Sequence, residues 1–409
     1  MSPQTIGIIR EFRLDENRTP LVPIHISQLK KKYQNLKIIV QSANHRCHAD
    51  YEYKEAGAIV QEDLGECDLI LGVKEIDVSV LLDSKKYIFF SHTSKVKSDN
   101  SAAAQGTPGM DKKELLTKIL KKNITLIDYE NIRDKKSRRY LGFGRFAGIV
   151  GCYNSLNLYL EMLNKKIMPR AFELNSYLKL KKNIENQDFN NIRILVTGDG
   201  RVAHGVLEFL KYTNIKEINC HEFKNDNLNK VFCNLTTSQY VKQKKGDKFN
   251  LENFIEFPDT YVSVLEDYLP FATMLISAHY WDPKSPILFN SFNIRKFSKL
   301  KVIGDITCDI NGSIPTTSRS STIENPYYHI DRANNNEIDK SDNSLAIMAV
   351  DNLPSELPKD SSKEFGDGII KDVLPFIIES DDGRIKKATI AKNGSFCPLY
   401  DFLYDYIKV

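Results

Sequence analysis

Lys74 closes the apolar run Leu69-Ile70-Leu71-Gly72-Val73, and His92 closes Tyr87-Ile88-Phe89-Phe90-Ser91, so each strand-like segment ends on a titratable group. A lysine partly withdrawn from water has a lowered pKa and can take a proton, although the neighbouring Glu75 opposes that shift. A histidine one strand later has the pKa range to exchange a proton with an amine or a carbinolamine. The rival readings are a snorkelling surface lysine and a buried structural histidine. A third run, Ile192 to Thr197, enters Gly198-Asp199-Gly200-Arg201-Val202-Ala203-His204-Gly205, which reads as strand, glycine turn and helix start. In this GxGxxxxG spacing the first glycine permits the turn and the second lets backbone N–H groups reach a pyrophosphate. The helix N-terminus favours the anion. A lysine, a histidine and a glycine turn at strand ends describe the chemistry of a nicotinamide-dependent dehydrogenase.

Glu222 follows the next predicted strand, where an acid can accept a ribose 2′-OH and would repel a 2′-phosphate. That favours NAD over NADP; the bland alternative is a surface glutamate. A fourth run, Leu300 to Gly304, ends on Asp305. Arg18, Arg138, Arg139 and Arg145 are candidates for bidentate carboxylate binding, though the run Asp134 to Arg139 could equally be a solvated hairpin. His45, Cys47 and His48 lie on a predicted loop with no partner set of known spacing, so no metal is expected.

These groups need parallel strands to position them. In open α/β sheets the ligand crevice lies outside the carboxyl ends of the strands. From Ile6 to about Glu130 strand and helix alternate, with strands at Ile6–Arg10, Lys37–Gln41, Leu69–Lys74, Tyr87–His92 and Ile124–Asp128 and a helix from Pro23. Phe143 to Leu163 reads as a long helix carrying Ala147, Gly148 and Gly151. A second α/β unit has strands near Ile192–Thr197, Glu217–Glu222, Thr273–Ala278 and Lys301–Ile306, then a final helical stretch over Met348–Leu353 and Glu364–Ile378.

At 409 residues the chain is long enough for two domains of roughly 150–200 residues each. A net charge of +4, with lysines scattered in short runs, gives no nucleic-acid patch. The longest apolar stretch, Tyr268 to Trp281, is broken by Pro270, Ser277 and His279, so no membrane span is expected. An odd count of seven cysteines without CxxC spacing, and no visible signal peptide, lead to the expectation of a cytoplasmic protein with free thiols.

Taken together, the motifs resemble the lysine-forming saccharopine dehydrogenase and lysine–2-oxoglutarate reductase family, itself similar to alanine dehydrogenases. The resemblance rests on Ile6-Gly7-Ile8-Ile9-Arg10-Glu11 with Arg18-Thr19-Pro20-Leu21, Gly72-Val73-Lys74-Glu75, Phe89-Phe90-Ser91-His92-Thr93 and Asp128-Tyr129-Glu130. It continues through Gly142 to Gly148, Gly198 to Gly205, Asp305 to Ser313 and Val350-Asp351-Asn352-Leu353-Pro354. It implies an α/β protein of two Rossmann-like domains with parallel sheets and an interdomain cleft. Residues 1–140 with 350–409 would form the substrate domain, and 141–349 the NAD-binding domain with a linking helix.

The implied reaction is reversible reductive condensation of L-lysine with 2-oxoglutarate to saccharopine, with Lys74 and His92 as the acid/base pair. Arg18, Phe143, Ala278, His279 and Tyr280 match substrate or cleft contacts, and Lys97 stands at a further substrate-contact position. Arg138, Gly198, Gly200, Arg201, Glu222, Asp305, Ile306 and Thr307 match cofactor contacts. Where family members often carry glutamine after the histidine this chain has Lys97, and Asn100 to Met110 looks like an insertion. The alternatives are a related opine or amino-acid dehydrogenase acting on another amine and 2-oxo acid, or an NAD(H)-binding regulator without turnover.

Overall fold

The computed structural model describes residues 4–95 and 111–408, so Lys97 and the Asn100–Met110 stretch lie outside the described residues. The chain divides into two compact α/β units, one of Met1–Phe143 with Pro358–Val409, the other of Gly144–Leu357.

In the first unit β1 (Thr5–Ile8), β2 (Lys37–Gln41), β3 (Ile59–Gln61), β4 (Leu69–Leu71), β5 (Lys86–Phe89) and β6 (Thr125–Asp128) are parallel, in the order β6-β5-β4-β1-β2-β3. The returning chain adds an antiparallel hairpin, Thr389–Lys392 with Ser395–Phe396, beside β6, which makes eight strands among the described residues. Leu69, Ile70, Leu71, Ile88 and Phe89 are fully buried. A strand covered on both faces needs continuous apolar residues, so these segments show no alternation. The helix α1 (Pro23–Lys32) starts on proline, as predicted, and ends on three lysines that suit its C-terminal dipole. From β1 the chain steps outward through β2 and β3, then returns to the other side of β1 as β4. That reversal makes the carboxyl ends of β1 and β4 a topological switch point, where open α/β sheets bind ligands.

The second unit opens with the helix α2 (Gly144–Met162). Its strands are β7 (Arg193–Thr197), β8 (Lys216–Glu217), β9 (Val231–Leu235), β10 (Met274–Ser277), β11 (Val302–Asp305), β12 (Tyr327–Ile330), β13 (Glu337–Ile338) and β14 (Leu345–Met348). They are ordered β13-β12-β14-β11-β10-β7-β9-β8 and are parallel except at β12 and β13. Between β7 and β8 runs the helix α3 (Arg201–Leu210). A side chain at Gly148 would strike the Val202 carbonyl and one at Gly205 the Arg145 carbonyl, so α2 and α3 cross with their backbones in contact.

Two features differ from the sequence expectation. β9 inserts between β7 and β8, so the strand that follows β7 in the chain is not its neighbour in the sheet. Leu345–Met348, next to the predicted helical stretch at Met348–Leu353, is a fully buried strand, and the helix there is Pro358–Asp372. Four apolar residues in a row carry no periodicity that separates strand from buried helix. No helix among the described residues is long and apolar enough to cross a membrane.

Candidate active site

The switch point of the first unit is densely charged. The chain leaving β1 carries Glu11, Glu16 and Arg18, all buried, and the chain leaving β4 carries Lys74 and Glu75. Arg18 Nε donates to Glu16 Oε1 at 2.7 Å, and the two side chains are 3% and 0% exposed. The Arg18 guanidinium also lies 4.1 Å from the centre of the Phe143 ring, which stacks on Phe365 at 4.4 Å. The aromatic face holds the buried pair in one orientation, so its guanidinium and its carboxylate act on Lys74 from fixed positions. Burial, and after it that guanidinium, push the Lys74 ammonium below the ordinary lysine value, while Glu16 and Glu75 oppose the shift. The Arg18 charge in turn holds Glu16 below its usual range against the effect of burial.

Glu11 caps the end of β4: its two carboxylate oxygens accept the N–H groups of Val73 at 2.7 Å and Lys74 at 2.9 Å. Burial and the nearby Glu16 raise its acid to about 8. The sequence carries Glu11 only as the last residue of the Ile6–Glu11 motif, without a site role, and does not single out Glu16.

His92 extends from the end of β5. Its φ of +51° lies in the left-handed region that few non-glycine residues occupy, and this turn aims the ring back toward β4. There Nδ1 meets Glu75 Oε1 at 2.7 Å, with Glu75 almost fully enclosed and the imidazole about a quarter exposed. A carboxylate on Nδ1 holds the proton at that nitrogen and leaves Nε2 for exchange. The preceding residue is pinned by Asp128 at the end of β6, whose Oδ2 accepts from the Ser91 backbone N–H and hydroxyl. Burial and the neighbouring Glu130 raise the Asp128 acid above its ordinary value. Lys74 and His92 are thus brought to adjacent strand ends, each fixed by a buried carboxylate, Glu11 for the first and Glu75 for the second.

In the second unit the glycine turn follows β7. Gly198 has a φ of +116°, and a Cβ there would lie 2.6 Å from the Ala278 carbonyl oxygen. Gly200 caps the ten-residue helix α3, and a Cβ at that position would meet nothing within 4 Å. An open helix N-terminus behind a turn that only glycine tolerates fits a dinucleotide pyrophosphate. The turn sits at this unit's own switch point, between β7 and β10.

The other expected contacts divide. His279, just past β10, is enclosed between Thr197 Oγ1 at 2.8 Å and Ser313 Oγ at 2.9 Å, and burial lowers its pKa to about 4. Tyr280 is 80% exposed. Asp305 is fully buried and accepts hydroxyl hydrogen bonds from Ser277, Thr307 and Thr317, so the carboxylate ties the ends of β10 and β11 to the loop beyond. Ile306 packs where a Cβ on Gly151 would sit. Arg201 is exposed at the start of α3.

Glu222 is exposed on a turn beyond β8, two strands from β7, and its carboxylate accepts the Asn219 N–H at 3.2 Å. The strand beside β7 is β9, and it runs into Thr236 and Thr237. Arg138 is exposed on a tight turn and binds Asp134 at 2.8 Å, the hairpin alternative for that run. Arg139 pairs with Glu130 and Arg145 with Glu208. His45, Cys47 and His48 point to separate partners: the Glu11 carbonyl, Ser362 and Glu52.

Residues 7–150 match the alanine dehydrogenase/PNT N-terminal domain family. The chain is 29% identical to the alpha-aminoadipic semialdehyde synthase of Arabidopsis thaliana, a match covering 97% of this chain and 41% of that protein. The chain therefore spans well under half the length of that relative. It is 21% identical to a Neurospora crassa saccharopine dehydrogenase described as NAD(+)-dependent and L-lysine-forming, over 93% of this chain and 92% of that one. Among solved structures an L-alanine dehydrogenase superposes with a TM-score of 0.61 at 13% identity, covering 98% of this chain and 99% of that one, which shows the fold. By these matches the chain is similar to saccharopine dehydrogenases and alpha-aminoadipic semialdehyde synthases, and it has the alanine dehydrogenase fold.

Proposed function

We propose that the chain is a nicotinamide-dinucleotide-dependent oxidoreductase that condenses L-lysine with 2-oxoglutarate to saccharopine and runs the reverse cleavage. The observation that carries this reading is the convergence, at the β1–β4 switch point, of a lysine with depressed pKa, a buried arginine and a carboxylate-held histidine. The name of the Neurospora crassa relative carries saccharopine and L-lysine.

Each group has a step it suits. The substrate's ε-ammonium must lose a proton before its nitrogen can attack a ketone. Lys74 is the base, because burial and Arg18 favour its neutral form. His92 gives a proton from Nε2 to the departing hydroxyl of the carbinolamine, leaving an imine, and Glu75 keeps the ring oriented throughout. A substrate carboxylate would share with Glu16 the Arg18 guanidinium that Phe143 holds in place. A bound dinucleotide would supply the hydride for reduction of the imine carbon. Gly198, Gly200 and the N-terminus of α3 would hold its pyrophosphate.

The preference for NAD drawn from Glu222 passes to the groups that follow β9, Thr236 and Thr237, because β9 is the strand beside the glycine turn. Seven free cysteines suit a reducing compartment such as the cytoplasm.

The test is oxidation of NADH and of NADPH, followed by absorbance, with L-lysine and 2-oxoglutarate together and each omitted in turn. The reading requires loss of absorbance only when both are present. Turnover with a different amine and 2-oxo acid would move the chain to another dehydrogenase activity. Nucleotide binding without turnover on any pair would make it a regulator.

A further inference from the structure

Where a parallel ladder ends, the next N–H groups of the strand need new acceptors. At β4 the ladder runs out one residue at a time. Ile9 N still donates to the Leu71 carbonyl at 3.0 Å, and Phe90 N to the Val73 carbonyl at 3.0 Å. The N–H groups of Val73 and Lys74 have left the sheet, and both are taken by the one carboxyl group of Glu11. Glu11 is 8% exposed and comes from the chain that leaves β1, so its side chain spans the switch point. Its own carbonyl lies 3.1 Å from His45 Nε2, which fixes the backbone from which that side chain reaches.

We infer that Glu11 is the positioning residue for Lys74: by gripping two consecutive peptide N–H groups it sets the direction in which the lysine leaves the sheet and keeps its ammonium in the buried cluster. The inference rests on the reading of Lys74 as the proton-transfer base. Glu11 touches the backbone of Lys74 and acts through it. The charged groups around the ammonium are Arg18, Glu16, Glu75 and Arg13, and they come from two separate chain segments. Only a fixed Cα–Cβ direction at position 74 keeps the amine among all four. A flexible lysine released from that grip would extend into water, where its charge is solvated and its pKa returns to the ordinary range.

The experiment compares the wild type, Glu11→Gln, Glu11→Asp and, as a control at an exposed surface pair, Glu62→Gln. Lys74 is reductively methylated across a pH series and its modification read by peptide mass spectrometry, which needs no turnover. NADH affinity and kcat are measured on the same proteins. The glutamine variant offers one N–H acceptor in place of two oxygens, and the aspartate is one methylene too short. In both, the labelling midpoint of Lys74 is expected to rise toward the ordinary lysine value of about 10.4. With it, kcat should fall about 10–10²-fold while NADH affinity stays as in the wild type. Glu62→Gln should change none of these.

A midpoint that is unchanged or lowered in folded Glu11 variants overturns the inference, since Glu11 would then act as a bystander or through its charge alone. Failure of both variants to fold overturns it too, making Glu11 a folding residue. A wild type that turns over no substrate defeats the proposed function instead, and the labelling comparison still decides the role of Glu11.

Discussion

Nδ1 of His92 lies 2.7 Å from Oε1 of Glu75, and the two residues come from the ends of neighbouring strands, β5 and β4. One is partly open to solvent and the other enclosed, so the carboxylate fixes the orientation of the ring. Glu75→Gln removes the charge and offers an amide that can donate as well as accept, so the ring loses its single tautomer. We expect kcat to drop about 10–10²-fold, the size of effect seen when a group that orients an imidazole is lost. NADH affinity should be unchanged. Steady-state kinetics with a parallel fluorescence titration of NADH checks this, and equal losses in both would show a general collapse of the fold.

Gly198 and Gly200 are expected to fail differently. Gly198→Ala places a methyl 2.6 Å from the Ala278 carbonyl oxygen on a backbone with φ of +116°, so it should lower the thermal midpoint. Gly200→Ala meets nothing in the protein, so it should leave the midpoint nearly unchanged and weaken nucleotide binding. Calorimetry alongside NADH titration separates the two. A Gly200→Ala protein that binds NADH like the wild type would place the pyrophosphate elsewhere.

Glu222→Ala should leave the ratio of NADH to NADPH turnover unchanged within about twofold, because its carboxylate sits beyond the edge strand β8. Substitution at Thr236 or Thr237, past the strand beside the glycine turn, should move that ratio. A clear gain of NADPH use in Glu222→Ala would contradict this and restore the glutamate as the ribose reader.

Local signals carried much of the architecture. Proline at the first turn of α1, the continuous apolar strands β2, β4 and β5, and the turn at Gly198 can all be read from neighbouring residues. What stayed hidden depends on the order of strands in space. Nothing within Val231–Leu235 says that it inserts beside β7, so the acid after the next strand in the chain was a reasonable expectation that the sheet does not support. The roles of Glu11, which the sequence shows only as part of a motif, and of Glu16 were hidden for the same reason, since their partners lie on another strand end or beyond a bend in the loop. Asp305 carried a family contact in its motif, and only the folded chain brings three hydroxyls onto its carboxylate.

His279 gives a pH prediction whose sign follows from its burial. Its folded pKa, about 4, is below the ordinary histidine value of about 6.5, so the unfolded chain binds the extra proton first as pH falls. The stability it contributes is fully present above about 6.5 and is lost as pH falls toward 4. His279→Asn should therefore flatten the decline of the urea midpoint between pH 7 and pH 4.5, though it weakens the fold at pH 7. A decline as steep as in the wild type would show that other groups govern acid unfolding.

The most direct measurement is mass-spectrometric detection of saccharopine formed from L-lysine, 2-oxoglutarate and NADH or NADPH by the wild type and by Lys74→Met. The wild type should form it, and the variant should bind the nucleotide normally while kcat/KM falls about 10²–10⁴-fold, the size of a lost acid–base group. Saccharopine formed by Lys74→Met at the wild-type rate would contradict the proton-transfer role of the β1–β4 switch point, and no saccharopine from the wild type with either nucleotide would contradict the reaction itself.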